Sequence, residues 1–120
     1  MSQDNKPDGR PPVLDTATAM DNLEVDEELF QGILEASLSE IENRSEKTAT
    51  AMAADNMEDL SLNAHTIKSA AATIGARALQ QAAENLELAA RKNRPGGVAA
   101  LHEIMDSEID RLFRTVGQRA

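Results

Sequence analysis

Apolar side chains recur three and four positions apart along most of this chain, the spacing of one buried face on an α-helix. Leu60, Ala64, Ile67, Ala71 and Ile74 form the clearest such series. They predict a helix from about Met57 to Ile74, with Gly75 as the left-handed residue just past its end. Phe30, Leu34, Leu38 and Ile41, with Leu29 and Ile33 widening the stripe, predict a longer helix from about Glu27 to Ala54. Asp26 stands where an N-cap belongs, Glu27 and Glu28 suit the positive end of the helix dipole, and Asp55-Asn56 reads as the break that follows. Leu79, Ala82 or Ala83, Leu86, and Ala89 or Ala90 predict a helix from about Arg77 to Lys92. Val98, Leu101, Met105, Ile109, Leu112 and Val116 predict the last one, from about Val98 to Val116. Between these two, Asn93-Arg94-Pro95-Gly96-Gly97 is the strongest turn signal in the chain.

Ahead of the long helices, Asp15 or Thr16 caps a short helix ending near Leu23, with Met20 and Leu23 as its buried contacts. Met1 to Pro12 is polar, rich in proline and without periodicity, so residues 1–12 are expected to be a disordered leader to a domain at 13–120. Short connections make successive long helices antiparallel neighbours. The expected fold is therefore all-α: an up-down-up-down four-helix bundle with a short additional N-terminal helix.

Composition agrees with that reading. The 120 residues contain no Trp, Tyr or Cys and only two Phe, which suits a bundle better than a sandwich or barrel and rules out disulfides and thiolate metal sites. No apolar run resembles a signal peptide or approaches bilayer-spanning length, so a cytoplasmic protein with no membrane partner is expected. The net charge of −9 argues against nucleic acid, whose backbone needs a basic surface.

The distribution of charge says more than its sum. Between Asp15 and Leu60, thirteen acidic residues face only Arg44 and Lys47. From Ser61 to Gly97 the balance reverses, with Lys68, Arg77, Arg91, Lys92 and Arg94 against Glu84 and Glu87. The basic segment is a candidate docking face for an acidic partner or a phosphate, and it also carries His65.

At helical spacing, Ser61, His65, Lys68 and Ala72 share one stripe just off the buried seam, flanked by Ser69. The imidazole is thus expected to be partly exposed, between a solvated lysine and small side chains that leave room for another protein. A free imidazole titrates near pH 6.5, so at neutral pH most of it is uncharged and one nitrogen keeps a lone pair able to attack phosphorus. A cation one turn away disfavours the imidazolium and can offset the charge of a phosphoryl group. The chain has no GxxxxGK[ST] loop and no kinase-type glycine-rich loop. His65 can be expected to receive a phosphoryl group that this chain does not make from ATP, which describes a carrier and not an enzyme. His102, beside Glu103 and four before Asp106, offers two ligands on what is expected to be an exposed face, too few for a metal site.

The segment Ala64-His65-Thr66-Ile67-Lys68-Ser69-Ala70-Ala71-Ala72-Thr73-Ile74-Gly75-Ala76 resembles the signature of the histidine phosphotransfer domains of bacterial phosphorelays, commonly AHTLKG-S-A-A-N-x-G-A. Leu23 to Phe30 is similar to the family's approach to its long second helix, and Asn85-Leu86-Glu87 to a Leu-Glu pair on its fourth. The resemblance spans roughly residues 13–116 and implies the same bundle. It implies that His65 is the phospho-acceptor, that Lys68 stabilises the phosphoryl group and that Gly75 ends the third helix. It brings Glu87 near the histidine face, where it could orient the ring. Ser69 stands where the family usually has glycine, beside the site where a receiver domain packs.

The partners so implied are response-regulator receiver domains or a hybrid histidine kinase. The protein is expected to act as a monomer without a cofactor of its own, any Mg²⁺ coming from the receiver. Two rivals stand beside that reading. One is a helical adaptor that binds a receiver or kinase domain without carrying phosphate. The other, the dimerisation and acceptor module of a sensor kinase, is a two-helix hairpin and fits a chain with this many helices less well.

Overall fold

In a computed structural model, which describes residues 11–93 and 95–117, the chain forms five helices: α1 (Thr16–Leu23), α2 (Glu27–Ala53), α3 (Met57–Ile74), α4 (Arg77–Arg91) and α5 (Pro95–Thr115). The starts of the first three are set by polar side chains that accept from otherwise unpaired backbone N–H groups. Asp15 Oδ1 accepts from Thr18 N at 3.3 Å, Asp26 Oδ1 from Leu29 N at 2.9 Å, and Asn56 Oδ1 from Asp59 N at 3.1 Å. The long helices form the expected bundle, with α3 packed against both α2 and α4, α5 against α4, and α1 lying on α3.

The seam read from the periodicity is the core. Leu60, Ala64, Ile67, Ala71 and Ile74 are fully buried, facing Phe30, Leu38 and Ile41 of α2 and Leu79, Ala83 and Leu86 of α4 within one apolar cluster. Thr48 explains how α2 continues where its apolar pattern fades. It is fully buried, but its hydroxyl donates to the Ser45 carbonyl at 2.7 Å, so a polar group sits at a core position without loss of a hydrogen bond.

Four expectations need correction. Leu29 and Leu23 lie on the fringe of their stripes and are not buried, being 58% and 37% exposed. Helix α5 starts at Pro95 and not Val98. The first helical position needs no N–H and favours proline's fixed φ, so a residue read as a turn opens the helix instead. The tight connection is shorter than expected and includes Asn93 in the left-handed region at φ 55°. Arg94, within that expected turn, lies outside the described residues. Finally, the expected leader includes Pro11 and Pro12, but Pro12 is buried and its carbonyl accepts from Ala78 N at 3.0 Å. Helix α4 has no capping side chain at Ala76, and this strap supplies one of the missing acceptors. The rest of the leader, residues 1–10, lies outside the described residues.

Gly75 is where strap and helix meet. It sits at φ 82°, and its carbonyl accepts from Asp15 N at 2.8 Å. This contact and the α4 cap hold α1 against the end of α3. Among the described residues no helix is long and apolar enough to cross a membrane.

Candidate functional site

Helix α3 turns its apolar seam inward, which leaves His65 at its shoulder with a side chain 51% exposed. The neighbouring α4 presents its own apolar face to the same core, and in the midst of that face is Glu87, whose side chain is only 2% exposed. A carboxylate so buried requires partners, and it has three. His65 Nδ1 lies 3.0 Å from Oε2, and Lys68 Nζ lies 2.8 Å from Oε1. Arg91, one turn further along α4, donates from Nη2 to Oε2. One buried acidic group thus gathers three basic side chains from two helices.

The electrostatics follow from that arrangement. Burial alone would push the Glu87 carboxyl up, but hydrogen bonds from Lys68 and His65, together with their charge, outweigh it and hold the group below its ordinary value of 4.5. A carboxylate only accepts, so its pairing with Nδ1 assigns the ring proton there and leaves the lone pair on Nε2. The sign of the stability effect is fixed by the same shift. With the folded value below the unfolded one, Glu87 stabilises the fold above pH 4.5, and that contribution is lost as pH falls through the lowered value. Urea unfolding of wild type and Glu87→Gln at pH 6 and pH 3 should accordingly show a stability gap that narrows on acidification. A gap that widens would contradict the assignment.

Around this centre the stripe residues take different settings. Ser61, half-buried one turn before His65, lines a groove with Met57, Leu62, Ala90 and Arg91. Ser69 and Ala72 are exposed, and Ala72 borders a second recess with Thr18, Asn22, Gly75 and Arg77. Lys68 departs from expectation. It is not a freely solvated lysine but is 26% exposed and tied to Glu87. Two participants carried no assignment from the sequence. Arg91 is counted there only within the basic segment, and its four-residue spacing from Glu87 is the signal that could have singled it out. Leu62, 60% exposed and three residues before His65, is an apolar residue on the polar arc of α3.

His102 is corrected as well. Its side chain is 13% exposed and bridges α5 to α2, with Nε2 3.4 Å from Thr48 Oγ1 and Nδ1 3.7 Å from Asp106 Oδ2. Among the described residues no group of three or more His, Cys, Asp or Glu side chains could hold a metal ion.

A helical bundle with a half-exposed histidine backed by a buried carboxylate and a lysine has a counterpart among known proteins. The family model for the Hpt domain matches residues 32–115, and the chain belongs to that family. Among solved structures it is similar to histidine-containing phosphotransfer protein B (HptB) from Pseudomonas aeruginosa PAO1. The TM-score is 0.78 at 27% identity, over 91% of this chain and 97% of that one. No curated protein sequence matches it. Hpt domains are phosphocarrier modules and not enzymes. Membership makes this a protein of histidine phosphotransfer in two-component phosphorelays, where such modules meet receiver domains and histidine kinases.

Proposed function

We propose that His65 accepts a phosphoryl group from a phospho-aspartyl receiver domain and passes it to the aspartate of another. The observation that carries this reading is the pairing of Nδ1 with the buried Glu87, which leaves a lone pair on Nε2 of a half-exposed ring. In the forward step the Nε2–P bond forms as the P–O bond to the receiver's aspartate breaks. The aspartate departs with the electron pair as a carboxylate, and no proton need cross between the proteins. The ring, protonated at Nδ1, becomes cationic, and Glu87 faces that charge at 3.0 Å. Lys68 has three donors, so it can keep its ion pair with Oε1 and still turn an N–H toward a phosphoryl oxygen. The receiver's acidic pocket would supply Mg²⁺, and the carrier would act as a monomer in the cytoplasm. The same steps run backward deliver the group to the second receiver.

Ser61 and Ser69, each one turn from His65, and Ala72, two turns on along the same stripe, fit the docking face because they are small. Leu62 adds an apolar anchor to it. Its replacement, Leu62→Asp, should weaken receiver binding about tenfold, the effect of losing one exposed apolar contact and adding a charge. The melting temperature should stay within about 2 °C, since the side chain is already largely in water. Calorimetric titration with a receiver, beside a thermal melt, checks both. Unchanged affinity would remove Leu62 from the face. The phosphotransfer reading itself is tested with His65 variants, whose expected behaviour is argued in the Discussion.

A further inference from the structure

Phosphorylation changes the charge balance at Glu87, and the three bases around it are not equally free to respond. A phosphoryl group on Nε2 brings two negative charges to the face while the ring gains one positive charge. Lys68 is the more enclosed cation, 26% exposed and held on Oε1. Arg91 is 62% exposed and shares Oε2 with His65 Nδ1. Two donors on one oxygen cannot lie more than about 6 Å apart at hydrogen-bond distances, so the guanidinium is already beside the ring.

Sharing that oxygen couples the two groups. While the ring is neutral, Arg91 is the stronger claimant on Oε2. Once the ring is cationic, its Nδ1–H bond to the carboxylate becomes an ion pair, charged on both sides, and contests the same lone pairs more strongly. The phosphoryl group would then be a new anion across the ring from the guanidinium, which is on a long and largely exposed side chain and whose planar fork matches two phosphoryl oxygens. Glu58 lines the same groove as Arg91 and is the other acidic group there, but it brings one negative charge where the phosphoryl group brings two.

Resting on the reading of His65 as phospho-acceptor, we infer that Arg91 is a second phosphoryl-binding cation, kept beside the ring by Glu87 and handed to the phosphoryl group when the ring becomes charged. Glu87 Oε2 is the exchange point, with the imidazolium strengthening its bond as the guanidinium leaves.

The full chain can be labelled on histidine with phosphoramidate, without any receiver, and followed by NMR. On labelling, the Arg91 guanidinium resonances should shift, and they should stay in place in a His65→Gln protein treated identically. The ³¹P signal of phosphohistidine should differ between wild type and Arg91→Ala, with Arg91→Lys between them. It should also differ between Glu87→Gln and the Glu87→Gln/Arg91→Ala double variant. When a receiver is added, Arg91→Ala on the Glu87→Gln background should move phosphate toward the receiver by roughly fivefold, the scale of one half-exposed charge-assisted contact.

If Arg91 serves only to hold Glu87, the double variant will match Glu87→Gln in ³¹P signal and in partition, and the inference falls. It falls equally if the guanidinium resonances do not move in the labelled wild type. Failure of transfer from a phosphorylated receiver to a protein that phosphoramidate does label would instead sink the relay reading, and the guanidinium readout would still decide the role of Arg91.

Discussion

A His65→Gln protein takes up no phosphoryl group from a phosphorylated receiver, while wild type gains an acid-labile, alkali-stable phosphate under the same conditions. Glutamine has no nitrogen lone pair comparable to that of Nε2, so the loss should be to background and not a graded decrease. The fold should tolerate the change. Glu87 retains Lys68 and Arg91, and the replaced ring is half in water, so a stability loss of about 1 kcal/mol or less is expected. Receiver binding should survive as well, which separates chemistry from docking. Undiminished labelling of the variant would displace His65 as acceptor. A wild type that binds the receiver but never labels would favour the adaptor reading.

The largest expected loss of stability lies elsewhere, at Gly75→Ala. A Cβ there would stand 2.3 Å from the Asp15 carbonyl oxygen, 2.9 Å from its carbon and 3.3 Å from Ala19 Cβ. The first two atoms are backbone and cannot rotate away. The residue also sits at φ 82°, where any side chain is strained by about 1–2 kcal/mol before a clash is counted. To relieve both, the strap and α1 must lift from α3, giving up the Asp15–Gly75 hydrogen bond and the burial of Ala19. A total of about 3 kcal/mol or more is expected, on the order of 10 °C in melting temperature for a domain of this size. Gly32→Ala is the matched control. It lies inside α2 with nothing within 4 Å of the added carbon, and should stabilise by about 0.5–1 kcal/mol. Circular-dichroism melts of the two variants decide the matter, and a Gly75→Ala protein melting with wild type would refute the steric argument.

These two glycines illustrate how far the sequence could be read. Gly75 was recognisable as a helix terminator because the apolar seam of α3 stops at Ile74. That Asp15 would approach it so closely was not, because the contact joins residues 60 positions apart. The same division runs through the site. His65 and Lys68 stood out because a helical stripe is local. Glu87 was brought near them by family resemblance, but its depth of burial is a property of two packed helices and could not be read from either. The spacing of Arg91 from Glu87 was visible without any sign that both turn toward α3. The low exposure of His102 is hidden from the sequence for a related reason, since its partner Thr48 lies on another helix. Periodicity locates the buried arc of each helix well but not its edges, where Leu23 and Leu29 are left partly in water.

The strap also bears on how recognition must proceed. Asn56 caps the first turn of α3, and Gly75 locks its last one to Asp15, with His65 between those two anchor points. A rod fastened at both ends and buried along one side has little freedom to roll or slide when another surface arrives. The carrier would therefore enter each encounter preshaped, offering successive partners the same rigid template, and the adjustment needed to align donor and acceptor would fall on the visiting domain. For a carrier that, as proposed, receives from one partner and gives to another, that fixity has a use: neither encounter leaves an imprint that the next has to undo.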